Sequence, residues 1–411
     1  MIIVFTNARL FDGVSAEIQE GRHVVVEGGL IRETASSRPA FRDAAFIDCG
    51  GRLLMPGLID AHFHAYLATF DIASLERMPP SLSASHAARI LEGALERGFT
   101  TVRDAGGGDI GLRVAIEQGL IRGPRFFFSG KALSQTGGHG DARRAEEVQP
   151  CCCGAYSGAG MFTQVVDGVE EVRKAVREEL RKGADQIKMF VSGGVLSPAD
   201  PLWMPQFTAE EIAAAVYEAS TRRTYVMAHC HTDEGAARCV EHGVRTVEHG
   251  TLIHREETAR LIATRGSYVV PTLSVIEVLQ KNAPAAKIPA ESIAKLRSIG
   301  DEAYRAIEVC RRSGVKLGLG TDLGGHAFHP LQGGELELRG RVEQPLDVLR
   351  SATSVNAEIL QRAGQLGLIA PGACADILVL DFDPLRDLGA FRSPDRIPVV
   401  MKDGVFIRNA L

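Results

Sequence analysis

GLIDAHFH, residues 57–64, joins a short apolar run to two histidines, His62 and His64. On a strand that spacing puts both imidazoles on one side, because side chains alternate with a period of two. Seven further runs share its texture: FTTVRDAG (99–106), RFFFSG (125–130), DQIKMF (185–190), YVMAHCH (225–231), VRTVEHG (244–250), SYVVPTL (267–273) and VKLGLGTD (315–322). Between them lie segments such as ASHAARILEGALERG (84–98), GVEEVRKAVREELRKG (168–183), TAEEIAAAVYEASTRR (208–223) and EETARLIATRG (256–266). These repeat apolar residues every three or four positions and often end in glycine or a base, as helices do. Apolar runs alternating with helices predict an α/β fold, a (β/α)8 TIM-like barrel whose parallel strands are buried on both faces. A doubly wound open sheet would want G-x-G-x-x-G after its first strand. Gly106-Gly107-Gly108 follows the second run and has the wrong spacing.

The ends of the chain read differently. IIVFTNARLF (2–11), HVVVEGGLIRET (23–34) and AAFIDCGG (44–51) open it; ACADILVLDFDPL (373–385) and IPVVMKDGVFI (397–407) close it. Short alternating runs broken by Asp12-Gly13 and Asp403-Gly404 are hairpin signals. Residues 1–56 and 364–411 are therefore expected to build one small β-sandwich domain from both termini, leaving 57–363 to the barrel.

Composition bounds the function. At 411 residues the chain is long enough for one large or two unequal domains, at ~150 residues per domain. Apolar residues make up 45% and charged residues 24%, which is globular rather than disordered. A net charge of −5 without a basic block argues against nucleic acid or an anionic membrane as partner. No apolar run approaches the ~18 residues of a membrane span, and MIIVFTNARLFDG lacks signal-peptide features, so a cytoplasmic protein is expected. Cys151, Cys152 and Cys153 form no C-x-x-C knuckle and read as structural or incidental.

In a barrel, side chains at the C-terminal strand ends converge on one mouth. Here those ends carry His62 and His64 on run one, Lys188 on run four, His229 and His231 on run five, His249 on run six and Asp322 on run eight. Each alone has an ordinary reading: a rim histidine, a snorkelling lysine, an N-capping aspartate. Together, imidazoles and a carboxylate in one place point to zinc or a similar divalent ion.

At these residues the sequence resembles the amidohydrolase superfamily of metal-dependent hydrolases. PGLIDAH, IKMF, MAHCHTDEG, VEHG and GLGTD occur in that order, and LGLIAPGACADILVLD resembles its terminal β domain. TTVRDAGG, SGKALSQTGGHGD, GADQIKMFVSGGVLSP and GVKLGLGTDLGG are similar to the prolidase and imidazolonepropionase-like branch. That branch includes Xaa-Pro dipeptidases, carboxypeptidase-like enzymes and ochratoxin-hydrolysing amidases.

The resemblance implies two divalent metal ions, expected to be Zn2+. His62, His64 and Asp322 would hold one, and His229 and His249 the other. Lys188, carboxylated by CO2, would bridge them, since two cations ~3.5–4 Å apart need an anion between them. Asp322 would take the proton of the attacking water and pass it to the leaving amine. The 20-residue interval from His229 to His249 matches the branch and favours His229 over His231 as ligand. His231 then lines the pocket, where many prolidases of this branch carry tyrosine; His139 in GGHGD is its expected companion at a substrate carboxylate. The loop Ser197 to Phe207, with the sole tryptophan Trp203, is a candidate lid over the substrate. His326 and His329 read as a surface turn, with a place at the barrel mouth as the alternative.

The implied function is hydrolysis of an amide or peptide bond beside a carboxylate-bearing amino acid, by a dipeptidase, carboxypeptidase or N-acyl-amino-acid hydrolase. The substrate is a small amide or dipeptide, and a homo-oligomer is expected. The alternative is a hydrolase of xenobiotic amides, ochratoxin-type amides included, or of carbamates or ureas. A noncatalytic barrel kept as a binding protein is disfavoured, because it would usually have lost at least one of these ligands.

Overall fold

The computed structural model describes residues 1–141, 143, 162–197, 200–286 and 290–411. Cys151, Cys152 and Cys153 lie outside the described residues. Each apolar run forms a strand, two of them running one or two residues past the run: Leu58–Phe63, Phe99–Asp104, Arg125–Phe128, Ile187–Phe190, Val226–Thr232, Thr246–Leu252, Tyr268–Val270 and Lys316–Leu317. Their partners are parallel throughout. The first three form one sheet. The other five form a second, seven-stranded sheet with two short strands that the apolar pattern does not mark, Ala132–Ser134 and Thr163–Val165.

Two seams connect these sheets. At one, the chain runs from Arg125–Phe128 into Ala132–Ser134 through Gly130. Gly130 has φ +69° and a Cβ there would overlap the Glu179 carboxylate, so the turn needs glycine. At the other, Ala61 N–H donates to the Leu319 carbonyl at 2.9 Å and Asp322 N–H to the His62 carbonyl at 2.8 Å. The result is a parallel, TIM-barrel-like α/β architecture. Its strands are apolar because they are covered on both sides; Leu58–Phe63 and Phe99–Asp104 are buried along their whole length.

Helices start where the sequence supplies caps. Thr208 accepts from Glu211 N–H while the Glu211 carboxylate accepts from Thr208 N–H, a reciprocal box at the start of Ala209–Thr221. Thr208→Ala should cost about 1 kcal/mol of stability, read as a lower urea midpoint at unchanged slope. Thr232 likewise caps Asp233–Glu241 by accepting from Gly235 N–H at 3.2 Å. The strand carrying His229 and His231 therefore passes into its helix without a loop.

Both ends of the chain share a separate eight-stranded sheet. Ile377–Leu380 lies antiparallel to Leu53–Pro56, and Val399–Lys402 and Val405–Asn409 extend that edge. Ile2–Leu10, Gln19–Glu27 and Leu30–Ala35 continue the other side, with Ala44–Asp48 pairing Ile2–Leu10. Ile3, Phe5, Val24, Val26, Ile377 and Val379 form its core at alternate positions, as period-two patterning requires.

Candidate active site

Strand register brings the polar strand ends together. Phe190 pairs with His229, His229 with Glu248, and Cys230 with His249. Strict alternation would put His249 on the Cys230 side of the sheet, away from His229. His249 instead has φ +70° and Gly250 φ +59°, and the ladder slips beside them. This break swings the His249 ring to 4.5 Å from His229 and 4.9 Å from His62. Asp322 also sits at positive φ, +53°. A left-handed backbone at a non-glycine residue costs of order 1–3 kcal/mol and is found mainly where function demands a side-chain direction.

The imidazoles are held by one nitrogen and open at the other. His62 Nδ1 donates to Glu248 Oε2 at 2.7 Å, and His64 Nδ1 to the Gly106 carbonyl at 3.2 Å. His249 Nδ1 bonds the Thr272 hydroxyl and His231 Nδ1 the Thr251 hydroxyl, both at 2.7 Å. His62 and His64 therefore offer Nε2 to the site, where it faces Asp322, while His249 approaches Asp322 with Nδ1 at 3.9 Å. His229 differs, with Nε2 3.4 Å from the Gly193 carbonyl.

Two charged groups stand among these rings. Asp322 Oδ1 lies 3.1 Å from His64 Nε2 and 3.5 Å from His62 Nε2, leaving Oδ2 the freer oxygen. Lys188 Nζ lies 3.3 Å from His62 Nε2. Burial lowers the Lys188 ammonium to about 8 and, with Lys188 nearby, His62 to about 4. Burial also holds His229 and His249 well below the ordinary histidine range and His231 at about 3, so these rings are neutral at physiological pH. Burial opposes the Asp322 charge, but His62, the hydrogen bond from His64 and His249 outweigh it and hold its carboxyl well below the usual range.

The donor set suits divalent metal. One ligand atom each from His62, His249 and Asp322 falls within 4.8 Å of the others. Neutral imidazoles with Nδ1 anchored and Nε2 free are the form in which histidine binds zinc.

The outer residues divide. His139 stacks on His229 at 4.4 Å, and its Nδ1 bonds Ser197 Oγ at 2.6 Å. His231 lies 4.7 Å from His229 and 5.2 Å from His249, ring to ring. Trp203 is 73% exposed. His326 is exposed, but His329 corrects the expected surface turn: it is 2% exposed, packs on Phe63 and faces the Leu67 carbonyl.

Sequence reasoning passed over the groups that support the site. Glu248 binds His62 on one oxygen and the guanidinium of Arg103 on the other, at 2.8 Å, and all three are buried. Asp60 accepts from Thr321 Oγ1 at 2.6 Å, Gln332 Nε2 at 2.9 Å and His62 N–H at 3.1 Å. A signal was present: Asp60, Arg103 and Glu248 are charges inside otherwise apolar strand runs, where only a buried partner makes them tolerable.

Comparison with known proteins shows the family and the fold. The model of the amidohydrolase family matches residues 53–407. A crystal structure of a prolidase complexed with N-methylphosphonate-L-proline superposes with TM-score 0.95 at 44% identity, covering all of both chains. A Xaa-Pro dipeptidase with methionine bound in its active site superposes with TM-score 0.89 at 30% identity, again over both whole chains. Ochratoxinase from Aspergillus niger is 36% identical over 375 residues, 86% of this chain and 75% of the relative. With the family model spanning residues 53–407, and so every strand that carries the candidate site, this chain belongs to the amidohydrolase family.

Proposed function

We propose that this protein is a binuclear metal-dependent hydrolase, zinc in both sites, that cleaves an amide or peptide bond beside a carboxylate-bearing amino acid. One observation carries the reading: His62 and His64, anchored through Nδ1, turn their free Nε2 atoms toward Asp322, and the His62 Nε2 also meets Lys188. His62, His64 and Asp322 would hold one ion, His229 and His249 the other, and Lys188 would lie between them. Bound ions would supply a polarised carbonyl and an activated water. Asp322 holds the proton of that water and returns it to the leaving nitrogen. The lysine bridge requires reaction of a neutral amine with CO2, and burial favours the neutral amine of Lys188. His231 and His139 would orient the substrate carboxylate, with Trp203 at the rim. We read the fold around this site as a (β/α)8 barrel over residues 57–363, with 1–56 and 364–411 forming the small β domain.

The resemblance to a prolidase bound to a proline phosphonate and to a Xaa-Pro dipeptidase supports a dipeptide or N-acyl amino acid as substrate. Similarity to ochratoxinase favours a second reading, hydrolysis of an ochratoxin-type or other xenobiotic amide. One assay separates a carboxylate-bearing substrate from a neutral xenobiotic amide, comparing an N-acyl amino acid with its carboxamide on zinc-loaded enzyme. Loss of the carboxylate should lower kcat/KM by at least ~10²-fold, about 2.7 kcal/mol, because positioned donors are left unpaired in a closed site. Comparable rates would favour a neutral xenobiotic amide.

A further inference from the structure

The loop that follows the Lys188 strand is pinned at both ends. Ser192 and Pro205 form an antiparallel bridge, Gly193 N–H donates to the Met204 carbonyl at 3.0 Å, and Gln206 N–H to the Val191 carbonyl at 2.9 Å. Inside the loop Asp200 is fully buried. Its Oδ2 accepts from Gly194 N–H at 2.9 Å and Gln206 Nε2 at 3.1 Å, and lies 3.6 Å from His139 Nδ1.

Lys295, on the helix Ala290–Arg312, reaches this loop from outside. Its ammonium donates to three backbone carbonyls, Gly194 at 2.9 Å, Ser197 at 2.8 Å and Asp200 at 2.6 Å. Three carbonyls saturate the donors of an ammonium, so the side chain holds the loop by its backbone. Ser197 is the hinge of the arrangement. Its carbonyl is gripped by Lys295 while its hydroxyl bonds His139 Nδ1. The His139 backbone is tied as well, its N–H donating to Gln206 Oε1 at 3.0 Å, and Gln206 is bound to Asp200. A route of direct contacts therefore runs from Lys295 on this helix, through the loop, to the ring stacked on His229.

We propose that Lys295 is a positioning residue for substrate binding: by clamping the Gly194–Ser197–Asp200 backbone it makes Ser197 and Asp200 orient Nε2 of His139 toward the substrate. This rests on the reading of His139 as a substrate contact. Lys295 bonds the loop backbone and none of the proposed metal ligands, so retention of metal is an expected outcome that the test measures.

The test uses zinc-loaded full-length enzyme with K295M, K295R, H139N and the H139N/K295M double variant, assayed on one N-acyl amino acid. Trp203, the sole tryptophan, lies in the clamped loop, so its fluorescence anisotropy reports loop order directly. K295M should keep the wild-type metal content, lower the Trp203 anisotropy and raise KM roughly tenfold with little change in kcat. K295R should recover part of the KM, and K295M should add little in the H139N background. Additive effects in the double variant, or unchanged KM and anisotropy in K295M, would overturn the proposal. H139N with wild-type KM would instead remove the substrate role of His139, a result distinct from additivity. Should K295M fold poorly, K295Q and K295R carry the same comparison.

Discussion

Lys188→Ala is expected to lower kcat/KM by at least ~10³-fold and to reduce the divalent metal bound per chain, because it removes the group proposed to lie between the two ions. Lys188 is buried, its Nζ is 3.3 Å from His62 Nε2, and no carboxylate oxygen lies within ion-pair distance of it among the described residues. An ammonium in that place would repel cations held by the neighbouring imidazoles. A carbamate would supply the anion that they need. Metal analysis after dialysis and steady-state kinetics check the expectation together. Short carboxylic acids added to the variant should restore part of the rate. A variant with full activity and the wild-type metal content would remove Lys188 from the site.

The second large effect is expected at Glu248. Burial opposes its charge, but Arg103 and the hydrogen bond to His62 outweigh burial and hold its carboxyl down at about 2. Glu248→Gln should destabilise the fold by about 3–5 kcal/mol, since it leaves the Arg103 cation buried without its counter-ion. It should also weaken metal binding by roughly 10–100-fold, because His62 loses the group that fixes its ring. The pH dependence has a definite sign. A carboxyl depressed from 4.5 to about 2 contributes its full stability above pH 4.5 and loses it as pH falls toward 2. Urea unfolding across that window should therefore show a shallower acid loss in the variant than in the wild type. Equal slopes and equal midpoints would mean that Glu248 bears no buried charge.

The candidate site was unevenly legible. His62 and His64 could be placed on one face from their spacing, as could His229 and His231, because alternation along a strand is local. Lys188 was visible as a charge in an apolar run. Glu248 and Asp60 carried the same signal, but their partners could not be read: Glu248 meets His62 across 186 residues, and Asp60 meets Gln332 across 272. The surface turn expected at His329 failed for a similar reason, since burial against Phe63 depends on a strand far away in the chain. Lys295 gives no sign of its role in its own helix, because its acceptors are backbone carbonyls about 100 residues earlier, the Gly194 contact spanning 101.

By itself, the sequence determined the alternation of apolar strands with amphipathic helices, the β-rich ends and the residue types at the strand termini. Those follow from periodicity and from turn and cap chemistry, which act over a few residues. Only the tertiary structure decided the direction of His249. Local alternation would turn it away with Cys230, and packing holds it at φ +70° so that its ring meets His62 and His229. The same holds for Asp322, whose left-handed backbone is set while its N–H is bonded to the His62 carbonyl of the first strand. Such conformations are unfavourable in isolation and persist because contacts from distant strands over-determine them, and no local pattern encodes those contacts.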